Sequence, residues 1–312
     1  MVAVSGGPDS MALMHLLARW RAARPGSPLV IATVDHGLRP ESADEACLVA
    51  REAAALGLAH RTLVWTGAKP ATGLQEAARE ARYRLLVELA RTEGASHLVT
   101  AHTLDDQAET VLMRMARGSG LAGLAGMRAE RELDGVIHAR PLLTCPKSAL
   151  VGLCEREGWA FVTDPSNRNE FFARVRWRRL MPALAEEGLT AERLARLAER
   201  AARAEEALDS KAADALVLAG AEREGEGLGF DAGRLVREPF EIALRMLSLA
   251  LVGIGLSLDS SRLHRLEACT RRLREAARDR EVLRLTIAGA LVQLDRSRRL
   301  VIRPEPPRRR GR

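Results

Sequence analysis

The residues best placed to do chemistry are Ser5, Gly6, Gly7, Pro8, Asp9 and Ser10, which interrupt an apolar strand and lead into an amphipathic helix read over Met11–Trp20. The two glycines permit a turn that side chains would obstruct, and Pro8 suits a first helical turn, where its missing N–H costs nothing. Unpaired N–H groups at such a helix start, flanked by the Ser5 and Ser10 hydroxyls, attract an anion. The pattern GxxxxGK[ST] is absent, and no lysine lies nearby in sequence to reach a γ-phosphate. The loop therefore suits holding pyrophosphate. An ordinary strand–helix turn is the bland alternative, and two hydroxyls and a carboxylate packed around the glycines weigh against it.

A second constellation, His102-Thr-Leu-Asp105-Asp106-Gln-Ala-Glu109-Thr110, opens another helix and sets His102, Asp106 and Glu109 on one face. Helix capping accounts for one acidic residue in a first turn. It does not account for three beside an imidazole, so the face suits Mg²⁺ or an ammonium group. In Asp35-His36-Gly37-Leu38-Arg39 the acid would meet a ribose hydroxyl and Arg39 a phosphate, unless the segment is simply a solvated loop. Gln75, Arg79 and Arg82 share a helical face with Tyr83 beside them, a salt-bridged solvent stripe being the alternative. After the turn Asp164–Asn167 come Arg174, Arg176, Arg178 and Arg179, interleaved with Phe171, Phe172 and Trp177. Such a cluster would hold phosphates and stack an unpaired base, unless its aromatic residues pack inward. Gly118-Ser-Gly120-Leu-Ala-Gly123 matches GxGxxG, yet it follows a helix where that fingerprint needs a strand, and a flexible loop over the site fits better.

Strands at Leu29–Asp35, His60–Trp65 and His97–Ala101, separated by helices around Ala43–Leu56 and Leu74–Arg91, would position these groups. Alternating strands and helices predict a parallel sheet covered on both faces. The first, second and fourth strands lead into Ser5–Ser10, Asp35–Gly37 and His102–Glu109, which would bring three polar clusters to one carboxyl edge. Past Pro182 the chain becomes an Ala/Arg/Glu-rich helix, Thr190–Leu216. Helical patterns follow near Pro239–Leu251 and Ser261–Ala277, then a hairpin of Val282–Ile287 with Leu291–Arg303. The expected domains are 1–182, a helical linker 183–230, a smaller α+β domain 231–305 and a basic tail 306–312.

The 312 residues are 47% apolar, enough for a large core and a smaller one, with no run apolar enough to span a bilayer. Four cysteines without a CxxC pair fit reduced thiols in the cytoplasm and argue against zinc. The net charge of +7 favours a polyanionic partner. Only Lys69, Lys147 and Lys211 are lysines, so where the arginines sit is better evidence than their number.

Together SGGPDS (Ser5–Ser10), VDHGLR (Val34–Arg39), QEAARxARY (Gln75–Tyr83), AHTLDDQAET (Ala101–Thr110), RGSGLAGLAGM (Arg117–Met127), RPLL (Arg140–Leu143) and DPSN (Asp164–Asn167) resemble the tRNA(Ile)-lysidine synthetase family, within the PP-loop (N-type ATP pyrophosphatase) superfamily. SGGxDS marks only the superfamily, whereas the later segments in this order are specific. LTIAGALVQLDRSRRLVIRPE (Leu285–Glu305) resembles the family's first C-terminal domain more loosely. The resemblance implies a doubly wound α/β sheet and attachment of lysine to C2 of the wobble cytidine in a CAU anticodon, with ATP and Mg²⁺. It implies Ser5–Ser10 at ATP, Asp9 at the metal or phosphates, and Asp106 and Glu109 at the lysine amine. It puts Asp35 in support, and His36, Arg39, Arg79, Arg82, His102, Asp105 and Arg114 lining the site. The Arg174–Arg179 cluster would meet tRNA, and the sequence leaves a homodimer open. The rivals are a PP-loop tRNA thiolase, whose paired cysteines are missing, and a non-catalytic RNA-binding protein with a relic nucleotide fold.

Overall fold

A computed structural model describes all residues except 25, 39–40, 68, 71, 164–172, 257–262 and 306–312. It divides into two compact units, 1–117 with 126–198, and 118–125 with 199–312.

The first unit is built on a six-stranded sheet of order β3-β2-β1-β4-β6-β5, from β1 (Val2–Ala3), β2 (Val30–Asp35), β3 (Ala59–Val64), β4 (His97–Val99), β5 (Glu130–Leu133) and β6 (Val136–Ala139). All pairings are parallel except β5–β6. Side chains alternate across β2, so neighbours Ile31 and Ala32 enter different cores. Ile31 packs with Val2, with Met11, Leu13 and Met14 of α1 (Pro8–Ala22), with Val49 of α2 (Ser42–Ala55) and with Leu150 of α6 (Lys147–Glu157). Ala32 packs with Leu98 and with Leu86, Val87 and Ala90 of α3 (Leu74–Thr92). Helices on both faces make the sheet doubly wound, as expected. Its order reverses beside β1, the place where such sheets open a ligand crevice.

The β5–β6 hairpin went unread in the sequence, although its Asp134-Gly135 turn takes positive φ at both residues (49° and 83°), the preference of a tight two-residue hairpin. A third cluster joins Ala108, Val111 and Leu112 of α4 (Leu104–Ala116) to Trp177, Met181 and Leu184 of α7 (Ala173–Glu186) and to Leu194 and Ala198, which open α8 (Ala191–Leu218).

The second unit is a five-stranded antiparallel sheet, order β7-β8-β11-β10-β9, from β7 (Glu222–Glu224), β8 (Gly227–Asp231), β9 (Leu283–Ile287), β10 (Ala290–Leu294) and β11 (Arg299–Pro304). Its core joins Phe230, Val292, Leu300 and Ile302 to α9 (Gly233–Arg237), α10 (Phe240–Gly253) and α11 (Leu263–Asp279). Two sequence expectations change here. The end of the expected helical linker 183–230 holds β7 and most of β8 instead of helix. The expected two-strand hairpin is three strands, because Asp295–Arg298 turns the chain, with Arg298 at φ 70° and Ser297 Oγ donating to Asp295 at 2.6 Å. Arg245 is buried in this unit and pairs with Glu205 and Asp209 at 2.7 Å and with Glu241 at 3.0 Å. Among the described residues no helix is long and apolar enough to cross a membrane.

Candidate active site

β1 ends in a turn whose Gly6 stands at φ 86°, a conformation natural to glycine. Gly7 caps α1 with extended backbone and no side-chain cap, and Pro8 follows in the first turn, so the helix start keeps N–H groups for an anion. Ser10 is buried and braces the turn: its Oγ accepts from Ser5 N–H at 3.1 Å and donates to Gly7 carbonyl at 2.9 Å. Ser5 Oγ lies 3.3 Å from it. Val162 N–H donates to Gly6 carbonyl at 2.8 Å, which ties a distant segment onto the loop.

A lysine does reach this loop, from α6. Lys147 Nζ stands 3.0 Å from Asp9 Oδ2, while Asp9 Oδ1 is buried without a partner among the described residues. Burial raises the Asp9 carboxyl above its ordinary range; Lys147 opposes that rise, and the charges of Asp106 and Asp105 add to it. These couplings put Asp9, Lys147, Asp105 and Asp106 in one neighbourhood. Sequence reasoning missed Lys147 because it is 138 residues from Asp9. The available signal was a rare lysine directly after Pro146, at a helix start.

On α4 the carboxylates divide their work, and capping claims more of them than expected. Asp106 Oδ2 accepts from Thr103 N–H at 2.9 Å and from Thr103 Oγ1 at 3.1 Å, and Asp106 N–H donates back to Thr103 Oγ1 at 3.3 Å, a capping box. Asp105 Oδ2 accepts Lys147 N–H at 2.7 Å at the start of α6. Glu109 is 1% exposed; its Oε1 accepts from Arg178 Nε at 2.8 Å, while Oε2 is buried with no partner among the described residues. Burial raises Glu109, against the pull of Arg178. His102 precedes this helix, and its Nδ1 lies 2.8 Å from Thr100 Oγ1.

At the end of β2, Asp35 Oδ1 accepts from Gly37 N–H at 2.8 Å and from Ser42 Oγ at 2.6 Å, and these bonds hold its carboxyl below the ordinary range. His36 meets the Trp65 ring edge-on at 6.0 Å, and burial lowers its pKa. Arg39 lies outside the described residues. Arg79 and Arg82 stand 5.1 and 5.2 Å from the Tyr83 ring. Their charges, felt at His102, put this face of α3 beside α4 rather than making it a purely solvent stripe. Arg114 Nη1 donates to Gly126 carbonyl at 2.7 Å.

The basic cluster on α7 splits between two environments. Arg178 is bound to Glu109, and the charge of Arg174 is felt at both Glu109 and Arg82, so these two face the site. Arg176 and Arg179 are exposed. Trp177 packs in the cluster around α4, which decides for inward packing over a ring offered to a base. Phe171, Phe172 and Asp164–Asn167 lie outside the described residues. The glycine-rich segment, expected as a flexible loop, includes the short helix α5 (Leu121–Leu124) and falls within the second unit, where a Cβ on Gly120 would come 3.1 Å from Leu263.

A doubly wound parallel sheet, with an anion cradle at its switch point and acidic residues on the same edge, defines an ATP-binding PP-loop domain. The PP-loop domain family matches residues 1–184. A tRNA(Ile)-lysidine synthase of Methylobacterium nodulans is 54% identical, covering 100% of this chain and 91% of the relative. That of Rhodopseudomonas palustris is 51% identical over 99% and 91%. The chain belongs to the tRNA(Ile)-lysidine synthase family. A U34-tRNA thiolase from Methanococcus maripaludis with a [4Fe-4S] cluster shares the fold (TM-score 0.56, 20% identity, 64% of this chain and 70% of that one). The four cysteines here are all free.

Proposed function

We propose that this chain is an ATP-dependent ligase that converts the wobble cytidine of tRNA(Ile) with a CAU anticodon to lysidine, using free L-lysine. The observation that carries this reading is the cradle of Ser5–Ser10, intact in a chain alike from end to end to a tRNA(Ile)-lysidine synthase. The C2 carbonyl oxygen of the cytosine attacks the α-phosphorus of ATP. An O-adenylated base forms and pyrophosphate leaves into the N–H groups at the start of α1. The lysine ε-amine then attacks C2, AMP departs, and the amine gives up a proton. Glu109, with its unpartnered Oε2, and Asp106 are the carboxylates suited to hold the ammonium and take that proton.

Mg²⁺ fits one carboxylate here. Among the described residues no three His, Cys, Asp or Glu side chains gather to hold a metal. Among the described residues Asp9 Oδ1 is buried and unpartnered, and it would supply one ligand, with phosphates and water for the rest. The ion would add positive charge to the polyphosphate, a task Lys147 shares from Asp9 Oδ2. Asp35 organises its own loop as a supporting residue. Arg79, Arg82 and Arg114 offset phosphate charge, with His36 close enough to feel the charge of Arg82. The exposed Arg176 and Arg179 suit tRNA phosphates, and residues beyond about 190 serve as the tRNA-binding part.

Pyrophosphate exchange tests the order of steps. Exchange into ATP is expected to require CAU tRNA and to proceed without lysine. Exchange that needs lysine and ignores tRNA would mean that the amino acid is adenylated instead.

A further inference from the structure

We infer that His102 serves the site as a neutral imidazole donating a hydrogen bond from Nε2, held in that tautomer by a directed chain of Arg140, His138 and Thr100. The inference deepens the reaction proposed above and rests on it. Three hydrogen bonds fix the direction. Arg140 Nη2 lies 3.0 Å from His138 Nδ1, and a guanidinium only donates, so Nδ1 is the acceptor. Neutral His138 then carries its proton on Nε2, 2.9 Å from Thr100 Oγ1. The Thr100 hydroxyl, in turn, lies 2.8 Å from His102 Nδ1.

The reverse arrangement would aim two N–H groups at the Thr100 oxygen and leave its own proton without an acceptor. Thr100 is 8% exposed and His138 0%, and a buried donor left without an acceptor is costly. The hydroxyl therefore donates to His102 Nδ1, and the His102 proton sits on Nε2. Among the described residues Nε2 has no hydrogen-bond partner.

Both rings stay neutral at working pH. Burial pushes His138 down to about 3, helped by the surrounding charges of Arg140, Arg131 and Arg79. Burial also pushes His102 down to about 3; Asp106 opposes this, and Arg140, Arg82 and Arg79 reinforce it. Arg140 is itself fixed, its Nη1 donating to Arg128 carbonyl at 2.6 Å. Thus His102 cannot take the proton of the lysine amine. It offers an N–H to an oxygen of the bound nucleotide, phosphate or carbonyl, and the proton falls to the carboxylates of α4. Arg140, His138 and Thr100 are positioning residues.

The test combines ¹⁵N-histidine NMR with kinetics on the full chain. In the wild type, the His102 spectrum should show protonated Nε2 and bare Nδ1, flat between about pH 5 and 9, where an ordinary histidine titrates near 6.5. Thr100→Val keeps the shape and removes the relay. It should blur the tautomer and lower kcat for lysidine formation at least about tenfold, the scale for losing an orienting partner. KM for ATP should change less than about threefold, since ground-state binding is kept. Thr100→Ser should restore both spectrum and rate. A proton on Nδ1, a midpoint near 6.5 for His102, or a folded Thr100→Val variant with wild-type kcat would overturn the inference. A wild-type chain that makes no lysidine would instead overturn the reaction, with the tautomer still decided by the spectrum.

Discussion

Arg178 is the arginine whose role the structure changes most, and Arg178→Met measures that change. Its Nε stands 2.8 Å from Glu109 Oε1, with the Glu109 side chain 2% exposed and that of Arg178 39%. Removing one partner of a buried pair costs about 3–5 kcal/mol. Solvent at the exposed guanidinium screens part of this, leaving about 1–3 kcal/mol. At roughly 2–4 °C per kcal/mol, Tm should fall by about 2–12 °C. Burial already raises the Glu109 carboxyl above its ordinary 4.5, and losing Arg178 raises it further. A carboxylate so raised binds its proton more tightly in the folded state, so folding loses stability as pH climbs from about 4.5 through the folded value. The Tm deficit should therefore be small near pH 4 and full by pH 8, and Arg178→Met with Glu109→Gln should recover most of it. Scanning calorimetry at both pH values reads this directly. The same variant should leave the salt dependence of tRNA binding at its wild-type slope, whereas Arg176→Ala should flatten it by about 0.7–0.9, the share of one phosphate. An equal Tm loss at both pH values, with no rescue and a flattened salt slope, would place Arg178 on the RNA and refute the pairing.

Asp9→Ala should cut pyrophosphate exchange by at least about two orders of magnitude, the scale for one charge-stabilising contact; near-normal exchange in folded protein would remove Asp9 from the site. Glu109→Gln should raise KM for lysine far more than KM for ATP, and equal damage to both would point to a metal-ligand role instead. Gly126→Ala places a Cβ 2.8 Å from the Gln107 amide and strains a φ of 64°, so it should destabilise the first unit by more than about 1 kcal/mol in urea unfolding. Arg245→Met should cost about 3–5 kcal/mol by stranding the buried Glu205, seen as an earlier thermal transition.

The sheet was legible because its strands are apolar runs between helical stretches, and because β1, β2 and β4 each deliver a polar cluster to the edge where parallel sheets bind ligands. SGGPDS was legible as a turn by glycine and proline alone. Partnerships across long separations were not. Nothing near Asp9 in sequence names Lys147, and nothing near Glu109 names Arg178. His138 and Arg140 flank a strand end, where a buried imidazole and guanidinium imply partners, yet RPLL drew attention only as a family segment. Asp105 and Asp106 show how a carboxylate in a first helical turn is shared between capping and chemistry, a division that spacing cannot resolve. Trp177 stayed open for a related reason: an aromatic residue among arginines serves a core as readily as a base, and only the packing of α7 on α4 decides.

Incubation of the chain with ATP, isotope-labelled lysine and CAU-anticodon tRNA(Ile), followed by nucleoside mass spectrometry, tests the central claim most directly. The expected product is a wobble cytidine carrying one lysine, with one AMP and one pyrophosphate released for each lysine attached. Unmodified cytidine from folded protein that binds both ATP and the tRNA would contradict it.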